Sequence, residues 1–211
     1  MRGNLIWAPW AAAAIFLVSC GLPAYSPVTE RHIIQSPENF SVDLPQGWRQ
    51  HNLAYDPLYG YRAILEKRRK LSWDVIRLTR DGLLLQQICI GRIPVTDELP
   101  NTKRKLAQEM IPLEAAEVIS SDIRSNSNLR NQDIIENVPA TVGGYPGFKL
   151  RYTYRTEDEL KVEGIFYGAL VGNWLYYVLY EAPAQHYFPK DLQLFENTRS
   201  SFAILKGAGE K

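Results

Sequence analysis

Apolar and polar positions alternate most regularly in the C-terminal half of the chain. Phe148, Leu150, Tyr152 and Tyr154 alternate with Lys149, Arg151, Thr153 and Arg155, the period-two pattern of a strand with one apolar and one basic face. Glu157-Asp158-Glu159 turns the chain, and Leu160, Val162, Gly164, Phe166, Gly168 and Leu170 continue the apolar face. Gly172-Asn173 is a two-residue hairpin loop leading into a strand over residues 174–182. Loop length sets the register. The acidic turn pairs Tyr154 with Val162 and Leu150 with Phe166, and the Gly-Asn loop pairs Leu170 with Leu175 and Phe166 with Leu179. A one-residue slip would set Tyr154 beside Lys161 and mix the faces. One face therefore carries Phe148, Leu150, Phe166, Leu170, Leu175, Tyr177 and Leu179. The opposite face starts basic (Lys149, Arg151, Arg155, Lys161) and ends aromatic (Tyr167, Trp174, Tyr176, Val178, Tyr180).

Other segments follow the same logic. Phe40-Ser41-Val42-Asp43-Leu44 alternates as a strand, and Pro45-Gln46-Gly47 ends it with turn chemistry. Residues 73–79 and 83–95 flank Arg80-Asp81-Gly82 and predict a hairpin. Asn101 or Thr102 caps a predicted helix through Met110. Pro112 fits the first turn of a second helix, with Ala116, Ile119 and Ile123 on one face and residues 125–128 as its end. Pro189 opens the last helix, where Phe188, Leu192, Phe195, Arg199 and Phe202 share a stripe. Both sheet faces are apolar enough to need cover. The expectation is an α+β fold: an antiparallel β-sheet covered by helices on both faces, an α-β-α sandwich.

The N-terminus has a different pattern. Arg2 precedes a run of uncharged, mostly apolar residues over 5–18, as in a secretory leader. Leu17-Val18-Ser19-Cys20-Gly21 resembles the bacterial lipobox. That resemblance implies cleavage before Cys20, a thioether from the Cys20 thiol to diacylglycerol, and acylation of the freed amine. Gly21 in place of an aspartate implies sorting to the outer membrane, facing the periplasm. Two or more acyl chains anchor a protein stably, at about 0.8 kcal/mol per buried methylene. The expected organisation is a leader over 1–19, the lipidated cysteine and a flexible tether over 20–36, a single domain over 37–205, and a frayed tail over 206–211.

Phe40-Ser41-Val42-Asp43-Leu44-Pro45-Gln46-Gly47-Trp48 is similar to the opening strand and turn of the PsbP-like fold family. The predicted order of strands, helix, antiparallel run and closing helix is similar too. The resemblance implies the sandwich fold and a non-enzymatic habit, and it supplies no catalytic residues.

Charge and candidate chemistry narrow the function. With 24 Lys+Arg against 23 Asp+Glu, the chain lacks the basic excess of a nucleic-acid binder. Blocking of Cys20 by lipid leaves Cys89 without a disulfide partner, and it reads as a small buried hydrophobe. His32 falls in the tether and His51 in a loop. No motif for a metal, a cofactor or a nucleophilic triad is present. Gly143-Gly144-Tyr145-Pro146-Gly147 reads as a turn between strands, and Glu157-Asp158-Glu159 as a solvated turn. The run Lys67-Arg68-Arg69-Lys70 is an exposed loop or a contact for anionic headgroups. Lys149, Arg151, Tyr167, Tyr176 and Tyr180 form the candidate face for a partner or ligand, because interfaces are enriched in Tyr and Arg. The first reading is a non-enzymatic envelope lipoprotein, held to the membrane by its lipid and binding another envelope protein. The alternative is a carrier or sensor of a small amphipathic ligand in a Tyr-lined pocket. An enzyme built on Cys89 or an acid pair is the third.

Overall fold

The computed structural model describes residues 25–51, 73–82 and 85–205. Its main element is an eight-stranded sheet. In chain order the strands of the protein are β1 (Tyr25–Pro27), β2 (His32–Gln35), β3 (Phe40–Asp43), β4 (Arg49–His51), β5 (Asp74–Thr79), β6 (Gln87–Pro94), β7 (Arg130–Val142), β8 (Tyr145–Arg155), β9 (Lys161–Val171), β10 (Trp174–Pro183) and β11 (Ala203–Ile204). The helices are α1 (Pro112–Arg124) and α2 (Tyr187–Ser201). The large sheet runs β1-β4-β5-β6-β10-β9-β8-β7, and a small one runs β11-β3-β2, with every strand pair antiparallel.

The register at the centre is the one the pattern predicts. Tyr154 faces Val162, Leu150 faces Phe166, Leu170 faces Leu175 and Phe166 faces Leu179. This alternation divides the interior into two apolar clusters. One holds Phe148, Leu150, Phe166, Leu175 and Tyr177 with Ala115, Ala116, Val118 and Ile119 of α1. The other holds Tyr167, Tyr176, Val178 and Tyr180 with Phe188 and Phe195 of α2. Helices alone do not supply the cover. Phe40, Val42 and Ile204 of the small sheet join the second cluster, and Leu99 and Leu106 of an irregular segment join the first.

The same rows of paired residues explain three glycines in strand interiors. Tyr152, Gly164 and Glu181 lie side by side on β8, β9 and β10. A Cβ on Gly164 would sit 2.4 Å from Tyr152 Cζ, so the ring lies in the space that the missing side chain leaves. Phe148, Gly168, Tyr177, Gly91 and Asp74 form a second row across β8, β9, β10, β6 and β5. There a Cβ on Gly91 would meet the Tyr177 hydroxyl at 2.8 Å and the Trp73 carbonyl oxygen at 2.0 Å.

Several expectations are corrected. Much of the segment expected as tether is strand: β1 pairs with β4 and β2 with β3, and Val28 N–H donates to the Trp48 carbonyl at 2.9 Å. These strands are short and half exposed, so they leave no apolar alternation. His32 is accordingly in β2 and His51 is buried in β4. No helix forms over residues 101–110. Asn101 and Thr102 donate their backbone N–H groups to Asp122 Oδ1 at 3.0 and 2.8 Å, and the Asn101 side-chain amide donates to the Asp122 carbonyl. Their capping chemistry thus binds the end of α1 and opens no helix of its own. The hairpin about Arg80-Asp81-Gly82 exists, but β6 begins at Gln87. The long edge strand β7 has no counterpart in the pattern. Two register shifts break its alternation, and Pro139 is tolerated at a sheet edge. Cys20 and the run at residues 67–70 lie outside the described residues.

Gly91→Ala should destabilise the fold by at least about 1–3 kcal/mol, because the new methyl group meets main chain that cannot rotate away. Urea unfolding reads this directly, and an unchanged midpoint would contradict the close-approach argument.

Candidate functional site

The residues predicted as a ligand or partner face are engaged by other parts of the fold. Tyr176 and Tyr180 are fully buried and Tyr167 nearly so. Tyr180 donates its hydroxyl to the Tyr187 and Phe188 carbonyls at 2.9 and 3.2 Å, where α2 begins. Tyr167 donates to Glu196 Oε1 at 2.8 Å, and Arg199 lies over its ring at 4.8 Å. Burial, with Glu196 beside it, pushes the Tyr167 hydroxyl well above its ordinary pKa. Burial likewise raises the Tyr176 hydroxyl, with Arg92 opposing the shift. Lys149 pairs with Glu136 at 2.8 Å and Arg151 pairs with Glu163. Tyr167 and Tyr180 are thus packed beneath α2, Tyr176 is buried in the same cluster, and both cations already have carboxylate partners.

One anchor of α2 has no sequence signature beyond an acid within its apolar stripe. Asp191 is buried, three residues after Phe188 and four before Phe195. Arg80 pairs with it and the fully buried Gln86 side chain donates to it, while Lys190 pairs with Asp81. These contacts tie the β5–β6 loop to the start of α2.

Cys89 is buried on the α1 side of the sheet. Burial, aided by Asp74, pushes its thiol pKa well up, which is the reverse of what a nucleophilic thiolate needs. Around it lies a network of acids and tyrosines. Tyr177 donates to Asp74 Oδ1, and Arg77 Nε donates to Asp74 Oδ2 at 2.9 Å. Tyr152 donates to Glu181 Oε1 at 2.7 Å. Both tyrosines reach their acids across a glycine, Gly91 in one case and Gly164 in the other. Burial, and then the charge of Asp74, raises the Glu181 pKa, and the hydroxyls of Tyr152 and Tyr154 partly offset this. Among the described residues, no group of three or more His, Cys, Asp and Glu is placed to hold a metal ion.

The structure adds an open apolar groove of about 820 Å³ where the start of α1 meets the β7–β8 hairpin. Ile111 precedes Pro112, the first residue of α1, and Glu114 turns back to accept from the Ile111 N–H at 3.2 Å. That cap fixes the entry of the chain and leaves Ile111 and Leu113 59% and 39% exposed. The opposite wall is Pro139, Ala140, Tyr145 and Pro146. Gly143 and Gly144, both at positive φ, make the tight turn between them, and a Cβ on Gly143 would sit 2.6 Å from Ile204 Cγ1. Among the described residues β7, beside the groove, is an edge strand. Its stretch over residues 137–142 pairs regularly with β8 on one side, carries no charge, and has Val138 exposed. Sequence reasoning read Gly143-Gly144-Tyr145-Pro146-Gly147 as a turn between strands but gave the strand before it no range, so the groove beside β7 was missed.

Solved structures share this fold. One is the solution structure of cyanobacterial PsbP (CyanoP) from Synechocystis sp. PCC 6803, at a TM-score of 0.55 and 10% identity, covering 88% of this chain and 95% of that one. Another is LpqN, described as involved in cell envelope biogenesis of Mycobacterium tuberculosis, at 0.50 and 10%, covering 86% and 90%. No protein-family model and no curated protein matches the sequence. At these identities the likeness establishes a PsbP-like fold, in a mainly antiparallel α+β arrangement.

Ionisation of Glu181 sets a pH dependence. Its folded-state pKa exceeds the unfolded one, so the native state binds more protons and loses stability as pH rises through that interval. Glu181→Gln keeps an oxygen acceptor for Tyr152 and removes the titration. Thermal unfolding from about pH 4 to about pH 7 should show the wild type losing stability relative to the variant. Parallel profiles would contradict the assignment.

Proposed function

We propose that the protein is a non-enzymatic lipoprotein of the cell envelope, lipidated at Cys20, that binds another envelope protein through the groove at the start of α1 and the adjoining edge of β7. The observation that carries the reading is the groove itself. Ile111, Leu113, Pro139 and Pro146 adjoin one another around it, and contiguous apolar surface open to solvent is where partners dock. The uncharged stretch of β7 offers main-chain acceptors, and donors except at Pro139, along an edge that carries no lysine and is long, although its bulges lie further along the same strand. A partner segment in extended conformation would pair with that stretch and place an apolar side chain between Leu113 and Pro139. The lipobox supplies the anchor, with the outer membrane as its destination. The burial of Cys89 and its raised pKa support a non-enzymatic role. Among the described residues no helix is long and apolar enough to cross a membrane, so the anchoring role falls to lipid in this reading. The relation to LpqN, named for envelope biogenesis, is in keeping with this setting. The carrier reading loses ground because the predicted tyrosine face lies under α2.

A photocrosslinking residue at Val138 in cells should capture one specific envelope protein. Leu113→Asp should reduce that product by about tenfold, the cost of burying an unpaired charge, without changing thermal stability. Cys20→Ser should release the protein from the membrane fraction. An unreduced product with Leu113→Asp would overturn the docking site, and an unaltered fractionation with Cys20→Ser would overturn the anchor.

A further inference from the structure

A second pocket, of about 380 Å³, lies at the opposite end of the sheet, between the β8–β9 turn and the end of β10. Its walls are apolar and aromatic: Tyr154, Leu160, Val162 and Pro183. Val162 is buried at 7% exposure while Leu160 is open at 46%, so the pocket runs from solvent to a closed floor. Among the described residues Asp158, exposed, and Glu181, partly buried, are the only charged side chains that line it, and the cation that acts on Glu181, Arg77, is outside the lining and paired with Asp74. Among the described residues Glu181 takes part in no ion pair. Its carboxylate accepts from Tyr152 and interacts with the Tyr154 hydroxyl. A carboxylate has about four lone-pair sites, so Glu181 keeps acceptor capacity beyond its two tyrosine partners.

We propose that this pocket binds a primary alkylammonium, an amine cation at the end of a hydrocarbon stem. The charge is specified by the two acids without a cationic neighbour on the lining. The stem is specified by Leu160, Val162 and Pro183, which cover hydrocarbon at no polar cost. The ring of Tyr154 adds a cation–π surface at the same wall. An ammonium suits the site better than a guanidinium. A guanidinium seeks both oxygens of one carboxylate in a planar fork, and here the Tyr152 hydroxyl already occupies Oε1. An anionic or neutral amphiphile would leave Glu181 facing it unpaired. The ligand is thus either a small free amine or a lysine side chain of another protein, and the chemistry recognised is the same. This site is independent of the groove beside β7 and of the lipid anchor.

The test uses the full chain and three six-carbon probes, hexylammonium, hexanoate and hexanol, read by isothermal titration and by tyrosine and methyl NMR shifts. Hexylammonium should bind and shift resonances of Tyr154, Leu160 and Val162, whereas hexanoate and hexanol should not. Glu181→Gln keeps the Tyr152 hydrogen bond and should weaken hexylammonium by at least about tenfold, with Asp158→Asn giving a smaller loss in the same direction. A further arm with Nα-acetyl-lysine methylamide separates the sources. Binding equal to hexylammonium assigns the pocket to a protein lysine, and weaker binding assigns it to a free amine. Equal binding of the three six-carbon probes, no binding of hexylammonium, or undiminished binding to a folded Glu181→Gln variant would overturn the proposal.

Discussion

Two tyrosines reach across empty places in the sheet to meet half-buried acids, and much of the architecture follows from that. Tyr152 passes over Gly164 to Glu181, and Tyr177 passes over Gly91 to Asp74. A hydroxyl buried without a partner costs about 1–3 kcal/mol by mutational measure, and a buried carboxylate costs more. Each glycine lets the ring lie flat along the row, so two costly groups satisfy one another. The arrangement demands that five strands keep one register. A slip of one residue anywhere between β5 and β8 would put a side chain under a ring and leave an acid alone. Hydrophobic alternation favours that register, and the polar ends of the rows exclude its neighbours.

The same rows divide the sheet into regions of different use. The α2 side is filled by aromatic rings and closed by the small sheet, with Asp191 pinning the helix to the β5–β6 loop. The α1 side is apolar in its middle and polar toward Glu181. Two openings lie at the ends of the long hairpins. Near the β7–β8 turn the opening is apolar, and near the β8–β9 turn it is lined by acids and a tyrosine. A rigid sheet that presents chemically distinct openings at its two ends is suited to holding things together, which is the role proposed here for it.

Much of this was readable from the residues, and the exceptions share a cause. The β8–β10 meander was set by period-two alternation and two short loops, so its pairing and its two faces came out as expected. Pro112 and the Phe188–Phe195 stripe likewise located α1 and α2. Where pattern failed, side chains were serving a distant partner. Asn101 and Thr102 look like a helix cap, yet their target is Asp122, some twenty positions on. β1 and β2 are short and exposed, and β7 hides its alternation behind two bulges and Pro139. The groove depends on β7 and was lost with it. Lys149, Arg151, Tyr167, Tyr176 and Tyr180 of the candidate face lie on one side of the sheet. Cover for that side was expected because both faces are apolar, and residues of α2 do lie against Tyr167 and Tyr180; what the pattern did not show is the share taken by the small sheet.

The dependence of the fold on these glycine lanes is tested most directly by a double-mutant cycle between Gly164→Ala and Tyr152→Leu, followed by urea unfolding. Leucine has none of the Cζ, Cε2 and Oη atoms that a Cβ at position 164 would meet. Gly164→Ala should cost about 1–3 kcal/mol with tyrosine at position 152 and close to nothing with leucine there, a large coupling for residues in contact. If the two costs simply add, Gly164 is not there to make room for the ring, and the account of the sheet fails.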